Sequence, residues 1–152
     1  MTDDDSFTRY AKQEARRMAL AMQLREATKE TLFHILAAHR IARLSVIFDG
    51  EGDSGQIEET IAANAAGQPA DLPAEPLTIQ TAKPDGSGPE ETTLPVASVI
   101  EALCYELLEE KYPGWEIDDG SYGEFVVNVA DRTIQLTFNG RFTDVDTSID
   151  TF

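Results

Sequence analysis

Cysteine is almost missing from this chain. Cys104 stands alone, so no intrachain disulfide can form, which fits a reducing compartment and makes cytoplasmic the expectation. Long apolar runs are missing too, and nothing approaches the ~18 residues a membrane span needs. The amino terminus, MTDDDSF, is acidic and has no apolar centre, so it does not read as a secretory signal. No Walker loop, dinucleotide fingerprint, CxxC pair or aromatic-plus-basic surface occurs, so neither direct nucleic-acid contact nor membrane contact is expected. Basic residues are scarce after position 43: four, against 22 acidic ones, a balance of −18. Residues 1–43 hold eight basic and six acidic residues, a balance of +2.

What is present is an ordinary globular composition, 41% hydrophobic and 26% charged over 152 residues. A chain of this length buries roughly 68–70% of its unfolded surface as one domain. The net charge of −16 is the single extreme value. Such a body repels nucleic acid, whose phosphates call for Lys and Arg. It attracts basic protein surfaces and steers their approach, or serves solubility alone.

Asp3–Ser6 can cap a helix. Phe7, Ala11, Ala15, Met18 and Met22 recur at three- or four-residue steps, and Leu32 and Leu36 continue the stripe. This predicts a helix from Phe7 to His39, with a break near Thr28. In ARLSVIFDG the period becomes two, with Leu44, Val46 and Phe48 on one face of a strand. Residues 49–56 read as a loop, IEETIAANAAG as a short helix stopped by Gly67, and QPADLPAEP as a connector. LTIQTA is a second strand with Leu77 and Ile79 on one face, and KPDGSGPEE a flexible turn. Val96, Val99, Ile100, Leu103 and Leu107 mark a second helix over 94–112, with Pro95 in its first turn and Pro113-Gly114 ending it. Phe125, Val127 and Val129, then Ile134, Leu136 and Phe138, alternate as two strands joined through ADRT. FNGRF carries an Asn-Gly hairpin signal for a short extra strand, and residues 143–152 are set apart as a flexible tail.

The expected architecture is therefore a single α+β domain over 1–152 in two layers. A four-stranded antiparallel or mixed sheet has two main amphipathic helices on one face, in the order α-β-β-α-β-β.

Candidate chemistry centres on two acidic loops. Gly52-Asp53-Ser54-Gly55 matches a serine-protease nucleophile loop, and LAAHR its histidine segment. A triad, however, needs a histidine that reaches the serine and an acid that orients it, and His39 lies at a helix end of a chain that is not a double β-barrel. His34 and His39 are five apart, not the four of a zinc-binding helix face. Asp49, Glu51 and Asp53 have the alternate spacing of a calcium loop, but Ser54 stands at the sixth position and Thr60 at the twelfth, where Gly and Glu are required. If the first and third strands are antiparallel neighbours, the end of one meets the start of the other. Asp49, Glu51, Asp53, Ser54 and Glu58 would then face Asp118, Asp119, Tyr122 and Glu124, with Trp115 beside them, and clustered carboxylates raise one another's pKa. Cys104 lies next to an apolar helix stripe and reads as a packed residue rather than a nucleophile.

The blocks VIFDGEGDSGQIE, ALCYELLEEKYPGWEIDDGSYGEFVVNVADRTIQL and RFTD resemble a family of small acidic bacterial proteins of unknown function, DUF6878, from the middle of the first helix onward. The family pattern often has Asn where Asp118 stands and Glu where Gly140 stands, which weakens a metal role for the one and a hairpin signal at the other. The resemblance implies no catalytic residues. It implies a bacterial accessory protein, often of mobile elements.

The leading expectation is a non-enzymatic acidic protein that docks a basic protein through the ten residues just named. In its sharpest form it is a nucleic-acid-mimicking inhibitor of the anti-restriction or anti-CRISPR type. No cofactor is expected. The alternative is a calcium- or magnesium-binding module or metal-dependent enzyme, with Asp49, Asp53 and Asp119 as ligands and Glu58 or Glu124 as base. A third reading is a subunit of a larger complex, anchored by Trp115 and Tyr122.

Overall fold

The computed structural model describes residues 3–51, 54–115, 120–141 and 146–152. Helix α1 runs Asp3–Ala38 without a break. At the expected break the Thr28 hydroxyl donates to the Leu24 carbonyl (3.1 Å), and one turn on Thr31 donates to Ala27 (3.0 Å). These hydroxyls bond back into the helix instead of capping a new one. The helix stops at Arg40, which adopts the left-handed conformation at φ 61°. Arg40 N–H donates to the Ala37 carbonyl and Ile41 N–H to the Leu36 carbonyl, the paired bonds of a Schellman ending. Buried Ile41 and Leu36 supply the apolar contact that accompanies it.

Of the stripe read from sequence, α1 buries Leu32 and Leu36 but leaves the amino-terminal part exposed. Leu32, Phe33 and Leu36 are in the core, and Gln13, Arg17, Ala21, Leu24 and Thr28 follow the same side as half-buried residues. Phe7, Met18 and Met22 continue the side of Leu32 and Leu36 at helical spacing but are 73%, 53% and 51% exposed. The amino-terminal part of that side stays uncovered because α1 packs along strand β4.

The strands are β1 (Arg43–Glu51), β2 (Ser54–Ala63), β3 (Pro69–Ala70), β4 (Pro76–Ala82) and β5 (Pro89–Pro95); helix α2 (Val96–Lys111) follows, then β6 (Ser121–Asn128), β7 (Thr133–Gly140) and β8 (Asp146–Thr151). The six-stranded sheet has the order β3-β2-β1-β6-β7-β8, every neighbour antiparallel, and β4 and β5 form a separate two-stranded sheet. The class is α+β with two helices, and the strand count and order are corrected in three places. IEETIAANAAG is not a helix: its β-branched Ile57, Thr60 and Ile61 join β2, paired with β1. Asn64 then turns the chain, its Oδ1 accepting from Ala66 and Gln68 N–H (3.0 Å each), and Gly67 takes φ +78°. LTIQTA buries Leu77 and Ile79 as expected, but its partner is β5 outside the main sheet. The segment set apart as a tail includes β8, which pairs with β7.

Side chains of the main sheet alternate. Leu44, Val46, Phe48, Phe125, Val127, Ile134 and Leu136 join one core cluster with α2's Val96, Val99, Ile100, Leu103, Cys104, Leu107 and Leu108. The opposite rows, led by Ile47, Glu124, Val126 and Thr137, are half-exposed.

Candidate functional site

Strands β1 and β6 are antiparallel neighbours, with Asp49 opposite Tyr122 and Gly50 opposite Ser121. The edge at which the first strand was expected to meet the third therefore exists. Period-two alternation places Asp49, Tyr122 and Glu124 together on the open face. Asp49 is not a free carboxylate there. Arg141 grips it with two bonds, Nη1 to Oδ1 at 2.9 Å and Nη2 to Oδ2 at 3.0 Å. The same guanidinium donates to the carbonyls of Gly50 (2.9 Å) and Ser121 (3.3 Å) and lies 4.8 Å from the Tyr122 ring centroid. Its backbone N–H donates to the Gly120 carbonyl. One cation thus ties the ends of β1, β6 and β7 together by planar, two-pronged recognition.

Behind this corner is an aromatic stack. The Phe48 ring meets Trp115 edge-on at 5.6 Å and stacks on Phe138 at 6.3 Å, and Phe138 stacks on Tyr112 at 3.8 Å. Gly123 pairs with both Phe48 and Phe138, and a Cβ placed there would be 2.0 Å from the Thr137 carbonyl oxygen. Trp115 is 6% exposed, with its indole N–H donating to Glu109, so the ring expected as an anchor is a packing residue. Ser121, buried, donates to the Trp115 carbonyl (2.7 Å). The Tyr112 hydroxyl donates to Asp150, and burial first, then Asp150, raises its pKa.

The remaining expected residues separate. The register shifts between Ile47 and Phe48, so Ile47 pairs with Glu59 and Phe48 with Ile57, leaving Glu58 in a β-bulge. Glu58 is exposed and accepts from Gln56 Nε2. Glu124 faces outward beside Ile47, so Glu59 and Glu124 flank Ile47 from two sides, about 10 Å apart at two strand spacings. Asp53, Asp118 and Asp119, and the side chains of Glu51 and Ser54, lie outside the described residues. Of the three proposed metal ligands only Asp49 is described, and both of its oxygens are engaged. Among the described residues no group of three or more His, Cys, Asp or Glu is placed to hold a metal ion. Sequence reasoning missed Arg141 and Glu59. A lone arginine directly after an alternating strand, in a body with only four basic residues, was the available signal for the first. Glu59 was hidden by the helical reading of its segment.

Elsewhere, His39 Nε2 pairs with Glu75 at 2.8 Å, which accounts for the histidine of the protease-like segment. The Cys104 thiol is buried, and desolvation first, then Glu101, pushes its pKa up, the environment of an inert packed thiol. A cavity of about 90 Å³ between α1, α2 and β4 is lined by Leu24, Thr28, Ile79, Val99 and Glu106. Arg25 lines it too, and the Arg25 Nε is buried without a hydrogen-bond partner among the described residues.

The fold and the corner define a small α+β protein with one open, acidic sheet face and a structural arginine clasp. The chain belongs to a family of unknown function, DUF6878, whose model matches residues 24–152. No curated protein and no solved structure matches it.

Proposed function

We propose that this is a non-enzymatic binding protein that presents the carboxylates of its open sheet face to a basic protein surface. The observation that carries the reading is how the cations are used. Of the four basic residues after position 43, Lys111, Arg132 and Arg141 are tied to Asp150, Glu30 and Asp49. Glu58, Glu59 and Glu124 make no ion pair with the described residues, and they project from β2 and β6, the two strands that flank β1 and its apolar Ile47. Negative charge is thus left unneutralised on a rigid sheet, where it steers an oppositely charged partner and fixes its orientation. In the sharpest form of the proposal these carboxylates occupy a site built for phosphates, and the partner is a nucleic-acid-handling enzyme.

The test is capture of partners by the tagged protein from its host, followed by binding measurements on the purified pair. Affinity should fall steeply between 20 and 200 mM salt and drop at least tenfold in Glu59→Gln with Glu124→Gln. Nucleic acid should compete for the same partner. Affinity indifferent to salt and to both substitutions would sink the proposal.

A further inference from the structure

Helices α1 and α2 leave a groove of about 530 Å³ between them, lined by Met18, Ala21 and Met22 of α1 and Glu106, Glu109 and Glu110 of α2. Its walls are ridges at four-residue spacing. On α1 the ridge is Glu14, Met18, Met22 and Glu26; on α2 it is Ala102, Glu106 and Glu110. Ridges of this kind are the surfaces into which a further helix packs. Methionine suits such a contact, because its flexible, polarizable chain adapts to the shape laid on it. Ala21, Arg25 and Glu106 line both this groove and the cavity of about 90 Å³ between α1, α2 and β4. The floor of the groove therefore has space behind it and can yield to a bulky apolar side chain.

The groove is left negative once its own pairs are made. Arg17 and Arg25 also line it, but Arg17 is held by Glu14, and Arg25, only 10% exposed, by Glu110. Glu106 and Glu109 remain. Glu109 accepts the indole N–H of Trp115, a neutral donor. Glu106 has no ion-pair or hydrogen-bond partner among the described residues. Burial raises its pKa, with Arg25 opposing and Glu110 adding to the rise. Its carboxylate is thus partly desolvated without being matched, which a cation brought into the groove would correct. Arg16 does not supply that cation: two residues from Met18, it lies across the helix.

We infer that this groove receives a basic amphipathic helix of a partner protein, its apolar stripe on Met18, Ala21 and Met22 and its Lys or Arg side chains on Glu106 and Glu109. The open sheet face takes no part, so this is a second surface and does not rest on the first. The chemistry of the groove chooses the occupant. An acidic helix, a second copy of this chain included, would meet the two carboxylates with like charge. An anionic membrane would also be repelled by a chain of net charge −16. A wholly apolar helix would leave both carboxylates desolvated and unmatched. A stripe at i, i+3 or i+4 and i+7 with basic residues on either side answers both the methionines and the glutamates. Glu14 to Glu26 spans about 18 Å of helix, which a partner segment of about 12–14 residues covers.

The probe is a synthetic helical peptide of leucine and lysine, about 14 residues long with its leucines on one face, titrated with the intact chain at low salt and read by fluorescence anisotropy. It should bind, and a scrambled peptide of the same composition should bind at least about tenfold more weakly. Met18→Ser with Met22→Ser, and Glu106→Gln with Glu109→Gln, should each weaken binding at least about tenfold. Glu59→Gln with Glu124→Gln, on the sheet face, should leave it unchanged. Thermal denaturation checks the fold, and Glu106→Gln removes a charge whose burial is unmatched, so its loss of binding should come without a fall in Tm. Absence of binding overturns the inference. So does equal binding of the scrambled peptide, or an equal loss in the sheet-face pair, either of which would show attraction to overall charge alone. Affinity kept in both groove pairs overturns it as well. Binding of a captured partner that depends on Glu59 and Glu124 bears on the open face alone, so either surface can fail without the other.

Discussion

Replacing Gly123 with alanine tests the packing that holds the corner of the sheet. Gly123 lies in the middle of the six-stranded sheet, opposite Phe48 on β1 and Phe138 on β7. An added Cβ would be 2.0 Å from the Thr137 carbonyl oxygen and 3.0 Å from the Phe48 ring, where real Cβ contacts essentially never fall below 3.0 Å. The backbone oxygen cannot rotate away as a side chain could, so β6 and β7 must part by about 1 Å or more. Phe48 must also give, and it carries Trp115 on its edge and Phe138 on its face. Overpacking of this kind costs about 1–3 kcal/mol. In a chain of this size each kcal/mol moves Tm by roughly 2–4 °C, so a fall of about 4–8 °C is expected for a cost near 2 kcal/mol. The assay is thermal denaturation with near-ultraviolet circular dichroism, which reads the asymmetric surroundings of Trp115 and the stacked rings. A Tm within about 1 °C of wild type with an unchanged aromatic spectrum would show that the strands tolerate the methyl group, and would refute the packing described here.

The Asp49–Arg141 clasp can be weighed by a double-mutant cycle with Asp49→Ala and Arg141→Ala under chemical denaturation. A coupling of about 1 kcal/mol is expected for a two-pronged but partly solvated pair, with Arg141→Ala the costlier single change because the Gly50 and Ser121 carbonyls also lose a donor. Glu106 is exposed at its edge, yet burial of its carboxyl raises its pKa, with Arg25 opposing and Glu110 adding to the rise. The native state then holds that proton more tightly than the unfolded chain, so stability falls as pH rises through and above the ordinary carboxylate range. Glu106→Gln should therefore raise Tm at pH 7, by at most about 2 °C after solvent screening, and give no gain at pH 3; a gain at pH 3 equal to that at pH 7 would contradict the sign. Millimolar calcium or magnesium should leave Tm unchanged, because a cation held by the native state would raise it by mass action.

The fold was legible where period and partner coincide. Leu44, Val46 and Phe48, then Phe125 to Val129 and Ile134 to Phe138, alternate cleanly because each strand has one buried face, whereas the pairing of β1 with β6 was only a condition in the sequence and is supplied by the structure. Alternation failed as a guide in β2, where the bulge at Glu58 breaks the period and a run of alanines imitates a helix. It failed again in β5, PEETTLP, whose pattern is polar because the two-stranded sheet leaves most of it exposed. In α1 the apolar period was read correctly, but period does not reveal how much of a stripe's length finds a partner. The small and polar residues Gln13, Arg17, Ala21 and Thr28 face the hairpin, while Phe7, Met18 and Met22 face solvent. The candidate site followed the same rule. Spacing located Asp49, Tyr122 and Glu124 on one surface, but the arginine that takes up the Asp49 carboxylate comes from 92 residues further along the chain, a distance that no local pattern spans. That contact also changes the chemistry to be expected of the corner. With Asp49 neutralised, the outward charge moves along the face to Glu58, Glu59 and Glu124, and the surface to mutate first is the middle of the open sheet rather than its end.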